Sequence, residues 1–297
     1  MQERRIALPN GRQIAFRDSG ASPGRTVLYL HGFLGSRLES VPAQEIAKEF
    51  DLRLVSVDRP GFGLSSTAPP GAEFDAADAA AVCAELGLRN PIVVGVSGGS
   101  AAALLTAINP RVEAAVIVLA SPLGPIDDPQ MRQRFSLLTR SALRLSQTSP
   151  LTAQCVLNGP LRLLARRYPE RLLRLMGTRF ARADREVLDN PEWREAICRS
   201  LAESFVTGGA GALRDLQSYP QSWNDALWRV NTPVMLWHGR LDTVVPIRCA
   251  RDLARRLPGG QLHEYETEGH LSVPLRHMRT LLSQAIRIAQ AQCPQPV

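Results

Sequence analysis

The stretch at residues 90–108, NPIVVGVSGGSAAALLTAI, decides the fold. Its first half is an apolar, β-branched run, and its second half is rich in alanine and leucine, which favour helix. Between them Gly95, Ser97, Gly98 and Gly99 fall in the pattern G-x-S-x-G. A strand that turns at once into a helix leaves no room for side chains beside the bend, so the positions two before and two after the serine must be small. The same bend strains Ser97 by about 1–3 kcal/mol and projects its hydroxyl from the sheet edge. A plainer reading makes Ser97 only the cap of the following helix. The strand-turn-helix setting favours a nucleophile.

Outward from this stretch, the chain alternates between short apolar runs and helical patterns as far as residue 121. IALPNGRQIAF (6–16) places two short runs around Asn10-Gly11, a hairpin signal. TVLYLHG (26–32), LRLVSVDRPG (52–61), PIVVGVS (91–97) and EAAVIVLAS (113–121) are mostly continuous apolar runs, as expected of parallel strands covered on both faces. Helical patterns lie at 36–50, 74–86 and 98–109, the first opening with Ser36-Arg37-Leu38-Glu39, which reads as a capping box. This spacing predicts βαβ units and a doubly wound sheet.

The alternation stops near Pro122 and resumes with PVMLWHG (233–239), a helix over 247–257, QLHEYE (261–266) and a final helix over 274–290. The residues between show helical pattern only, broken at Pro150, Pro160, Pro169, Gly177, Asn190-Pro191, Gly208 to Gly211 and Pro220. In LRLLARRYPERLLRLMG (161–177), Leu161, Leu164, Ala165, Tyr168, Leu172, Leu175 and Met176 share one helical face, with arginines opposite. The predicted organisation is an α/β core of residues 1–121 and 229–297, holding a mostly parallel sheet of about eight strands. A helical cap, 122–228, is inserted over the sheet's C-terminal edge.

Composition narrows the function classes. At 297 residues and 44% hydrophobic, the chain supports one large core with an insertion. No apolar run is long enough to cross a bilayer, and the N-terminus has no apolar leader pattern, which predicts a cytoplasmic protein. Cys83, Cys155, Cys198, Cys249 and Cys293 are scattered, with no C-x-x-C pair, arguing against a disulfide framework or a zinc site. The net charge of +7 is almost all arginine, since Lys48 is the only lysine. Residues 131–185 carry twelve arginines against Glu170 and Asp184, a balance of +10, which leaves the remainder at −3. No nucleic-acid motif accompanies this cluster, so no nucleic-acid partner is expected.

With these motifs in order, the chain resembles the α/β-hydrolase fold family over nearly its whole length. LHGFLGSRLES (30–40) resembles the family's oxyanion strand and loop, and VDRPGFGLSS (57–66) its D-x-x-G-x-G-x-S turn. GVSGGS (95–100) matches the nucleophile elbow, HGRLDTVVP (238–246) the acid loop and EGH (268–270) the histidine loop. The combination is similar to a capped subgroup near the carboxylesterase and proline iminopeptidase branches.

A hydroxyl is almost un-ionised at neutral pH, so it needs a base within hydrogen-bond reach and a carboxylate to orient that base. The resemblance assigns these roles to His270, on the loop after the last strand, and Asp242, after the penultimate strand, with Asp127 as fallback acid. His31 and His238 shape strand-end loops, His263 lies in a strand and His277 in the final helix, while Asp58 braces the RPGFG turn. The resemblance also nominates the backbone N–H groups of Phe33 and Gly98 as the oxyanion hole, with Gly95 and Gly99 completing the elbow.

The expected activity is a serine hydrolase acting on a small or medium carboxylic ester, with no metal or organic cofactor. Amide, thioester and lactone substrates use the same machinery. A proline iminopeptidase reading needs a cap carboxylate for the substrate amine, for which Glu203 and Asp215 are candidates. A non-catalytic small-molecule receptor on the same fold is the alternative of another class. The cap arginines either form solvated helix faces or turn toward the cleft and favour an anionic substrate.

Overall fold

The computed structural model describes residues 2–20 and 25–292. The apolar runs become one eight-stranded sheet: β1 (Gln2–Ala7), β2 (Gln13–Asp18), β3 (Thr26–Leu30), β4 (Arg53–Val57), β5 (Ile92–Val96), β6 (Val116–Ala120), β7 (Val234–Gly239) and β8 (Gly260–Tyr265). Their order is β1-β2-β4-β3-β5-β6-β7-β8. β1 and β2 form the hairpin around Asn10-Gly11, with Gly11 at φ +82°. β2 pairs antiparallel with β4, and from β4 onward every pairing is parallel.

Every residue of β3, β5, β6 and β7 is buried, because helices cover both faces, whereas β8, at the sheet edge, alternates. Successive side chains enter opposite layers. Leu28, Val93, Ile117 and Leu236 pack with Ala79, Leu104 and Leu253 on one face. Val27, Val94, Val118 and Met235 pack with Ala47, Leu281 and Ala285 on the other.

Between β6 and β7 the described residues form helices only, from Pro129 to Leu227. Their apolar faces do not close on themselves. Leu143, Leu157, Leu172, Leu201 and Phe205 pack with Leu34, Phe62, Leu123 and Val245, which lie on loops after the strands. The insertion therefore sits over the C-terminal end of the sheet.

Two local readings differ from the structure. The face predicted across 161–176 is not continuous: Pro169 forces Tyr168 out of helical geometry, to φ −139° and ψ 52°, and a new helix starts with proline at its first turn. Leu175 is consequently 63% exposed. The capping box at Ser36 is also only half formed. The Ser36 hydroxyl accepts from the Leu38 amide, but the Ser36 amide donates to Ser200 Oγ and Glu39 turns away to Gly32. Among the described residues no helix is long and apolar enough to cross a membrane, and Cys83, Cys155, Cys198 and Cys249 are free thiols. Cys293 lies outside the described residues.

Candidate functional site

The sharp end of β5 is built as its glycines require. Ser97 takes φ +49°, a left-handed conformation that L-residues adopt only under constraint. A Cβ at Gly95 would lie 2.7 Å from the Ala103 Cβ, and one at Gly99 would lie 2.7 Å from the His31 carbonyl oxygen, so both positions exclude a side chain. The turn is tied down by the Ser100 hydroxyl and the Leu123 amide, which donate to the Ser97 carbonyl at 2.7 and 3.2 Å.

His270 and Asp242 converge from 28 residues apart, with His270 Nδ1 2.7 Å from Asp242 Oδ2. The acid loop is fixed by its own backbone: the amides of Val244 and Val245 each donate to Asp242 Oδ1 at 2.8 Å. It is also laced to the histidine loop, through Arg240 N to the Tyr265 carbonyl at 2.8 Å and Leu241 N to the Glu268 carbonyl at 3.0 Å. Burial by itself would raise the Asp242 carboxyl, but the charge and hydrogen bond of His270, with help from His238 and the Val245 amide, hold it below the usual carboxylate range. Burial would likewise lower His270, yet the Asp242 carboxylate outweighs it and the imidazole is raised above its ordinary value. Asp127, the fallback acid, is instead hydrogen-bonded by Asn224 at 2.8 Å.

Ser97, His270 and Phe33 line one cavity of ≈170 Å³. Gly98 stands against the loop after β3, since a Cβ there would lie 3.4 Å from the Phe33 backbone nitrogen. The rest of the wall is mostly apolar, from the loop after β3 (Leu34), from the final helix (Pro274) and from the insertion (Met176, Phe180, Ile197). None of the twelve arginines of 131–185 lines it; Arg132, Arg140 and Arg144 line a separate groove, and Arg174 and Arg185 another.

The remaining histidines and Asp58 behave as loop and packing residues. His31 Nε2 accepts from the Arg59 amide at 3.0 Å, and its Nδ1 donates to the Gly32 carbonyl at 2.8 Å. His238 donates to the Val245 carbonyl at 3.0 Å. His263 stacks on Trp237 and His277 on Tyr265. Asp58 accepts the amides of Arg37 and Leu64, at 2.7 and 2.9 Å, and so braces the turn.

Sequence reasoning missed two residues beside the site. Arg59, 2% exposed, donates to the carbonyls of His31 and Gly32 at 2.9 and 3.2 Å, and clamps Asp215 of the insertion at 2.5 and 2.7 Å. Glu39 lines the cavity and accepts from the Gly32 amide and the Tyr29 hydroxyl, at 3.0 and 3.2 Å. Burial pushes its carboxyl up to about 7, against the pull of those two donors. The signal for Glu39 was its sequence distance from the His-Gly pair, which lets a short helix fold it back onto Gly32. Among the described residues no group of three or more His, Cys, Asp or Glu is arranged to hold a metal ion.

Comparison with known proteins agrees with this architecture. The chain is 25% identical over 254 residues, 83% of its length, to the AB hydrolase superfamily protein YisY of Bacillus subtilis, covering 85% of that protein. It is 26% identical over 265 residues, 86% of its length, to the pimeloyl-[acyl-carrier protein] methyl ester esterase of Vibrio parahaemolyticus, covering 90% of that protein. The structure of a thermophilic esterase from Thermogutta terrifontis superposes with a TM-score of 0.67 at 24% identity, covering 97% of this chain and 99% of the other, and shares its fold. The model of the alpha/beta hydrolase family matches residues 27–284; the chain belongs to that family.

Proposed function

We propose that the protein is a serine hydrolase that cleaves a small or medium carboxylic ester through an acyl-Ser97 intermediate, with the helical insertion acting as the cap. The observation that carries this reading is that His270, 2.7 Å from Asp242, lines the same cavity as Ser97. Because Nδ1 is committed to Asp242, Nε2 of His270 is the nitrogen that takes the Ser97 proton as Oγ bonds to the ester carbon. The carbonyl π electrons move to oxygen, and the Phe33 and Gly98 amides receive the resulting oxyanion, each worth about 2.7–4 kcal/mol. Collapse breaks the ester C–O bond and returns the proton from Nε2 to the departing alkoxide. Water, deprotonated by the same nitrogen, then bonds to the acyl carbon; collapse breaks the C–O bond to Ser97, which takes the proton back from Nε2 as the acid leaves.

The mostly apolar wall without arginine supports an uncharged acyl or alcohol group. Glu203 and Asp215 are engaged by Arg37 and Arg59, at 2.8 and 2.5 Å, which leaves neither to receive a substrate amine and weighs against the iminopeptidase reading. The test is labelling of Ser97 by a fluorophosphonate, followed by acid release from p-nitrophenyl esters of increasing acyl length. Absence of both labelling and release would refute the proposal.

The pH profile adds a prediction. His270 acts only when neutral, so kcat/KM rises with pH through its pKa, which lies above the ordinary 6.5. The charge on Glu39 favours the imidazolium. Glu39→Gln removes that charge, and the acid limb of kcat/KM moves to lower pH. A limb that stays in place would show that Glu39 does not act on the base.

A further inference from the structure

Asp184 lies on the short helix Arg182–Val187 of the insertion, and its side chain is completely buried. No cation pairs with it among the described residues. Instead, its two oxygens accept three consecutive main-chain amides: His270 N on Oδ2 at 2.8 Å, and Leu271 N and Ser272 N on Oδ1 at 2.9 Å each. Ser272 opens the 21-residue helix Ser272–Gln292, so the carboxylate also meets the positive end of that helix. Together these donors compensate the burial of a carboxylate that has no counter-ion. Gly269 belongs to the same arrangement, since a Cβ there would overlap the Asp184 carboxylate. On the other side of the residue, the Ser121 hydroxyl donates to the His270 carbonyl at 2.7 Å. The backbone of His270 is thus held at both ends, while Asp242 turns its ring.

We propose that Asp184 is a positioning residue for the catalytic base: the insertion supplies, through three hydrogen bonds, the anchor that fixes where the His270 imidazole stands relative to Ser97. This rests on the serine hydrolase reading given above. Asp242 and Ser121 belong to the loops after β7 and β6, so of these three anchors Asp184 alone makes the position of the base depend on how the insertion is seated. The groups facing His270 are Asp242, His238, Glu39 and Asp184. Only Asp184 acts through its backbone.

The experiment compares wild type with Asp184→Asn, which keeps the shape and one acceptor oxygen, and with Asp184→Ala. Expected for the folded variants is a kcat about 10²-fold lower with KM little changed, since ångström-scale displacement of a reacting group has that effect. Asparagine retains more activity than alanine. The NMR titration of the His270 ring moves to lower pH in both variants, because a carboxylate that favours the imidazolium is gone. This readout does not depend on turnover, so an inactive wild type that still shows the shift would sink the hydrolase reading and leave the anchor standing. Folded Asp184→Asn with wild-type kcat and an unmoved His270 titration would overturn the proposal. Should neither variant fold, hydrogen exchange on wild type decides: amides 270–272 are expected to exchange as slowly as β5, and fast exchange there refutes the anchor.

Discussion

Ser97→Ala is expected to lower kcat for a p-nitrophenyl ester by about 10⁴- to 10⁶-fold while leaving the protein folded. The magnitude follows from removing the only atom that forms the covalent bond; what survives is the contribution of the oxyanion amides and of substrate binding. KM should change far less than kcat, because the rest of the cavity wall is untouched. Fluorophosphonate labelling should disappear altogether. Stability gives an independent check, since position 97 sits at φ +49°. Alanine inherits that strain, whereas Ser97→Gly relieves it, so the glycine variant should melt at a higher temperature than the alanine variant by the equivalent of about 1 kcal/mol, while being equally inactive. A Ser97→Ala protein that turns over at the wild-type rate would dispose of the acyl-serine mechanism.

Arg59→Met should be the most destabilising single substitution near the site. Arg59 is buried between Asp75 and Asp215, themselves 3% and 1% exposed, and it also satisfies the carbonyls of His31 and Gly32. Methionine fills the volume but strips these groups of their cation. Breaking a buried pair by deleting one partner typically costs about 3–5 kcal/mol, on the order of 10 °C in Tm for a chain of this size. Arg214 moderates the loss, because it already bonds Asp75 at 2.6 Å. Arg59→Lys should rescue little, as an ammonium cannot span both oxygens of Asp215 and still reach two carbonyls. Adding Asp215→Asn to Arg59→Met should recover part of the lost Tm, since the surplus charge is gone. Activity should fall as well, because the peptide leading to Phe33 loses its brace. Thermal melts of the three variants, with kcat measured well below Tm, separate these effects. An unchanged Tm in Arg59→Met would contradict the account.

The fold was legible wherever burial on both faces writes itself as an unbroken apolar run. β3, β5, β6 and β7 all fall within such runs, and the punctuation after β5 and β7 marked the loops on which Ser97 and Asp242 lie. Glycine spacing did the same for the elbow, because sterics there act between near neighbours in sequence. Asp184, Arg59 and Glu39 were not legible. In a sequence a charged residue reads as solvated unless a motif says otherwise. What buries Asp184 is an approach of backbone amides 86 to 88 residues away, and what buries Arg59 is a carboxylate 156 residues away. Asp184 was counted only as a stray acid among arginines. In hindsight its isolation in that company, together with a glycine before His270, was the available clue. The predicted face over 161–176 failed for the opposite reason: a local rule, proline's effect on its predecessor, overrode a periodicity that looked continuous.

The placement of the helical insertion has a consequence for synthesis of the chain. β6 ends at Ala120, and its partner β7 begins at Val234, so 113 residues must be made before that side of β6 is covered. At typical bacterial or eukaryotic elongation rates this takes roughly 6 to 23 s, during which the run VIVLA presents an open hydrogen-bonding edge on the nascent chain. Chaperone demand and truncation products should therefore concentrate in that interval, and fragments ending between residues 121 and 233 should be markedly less soluble than the finished protein.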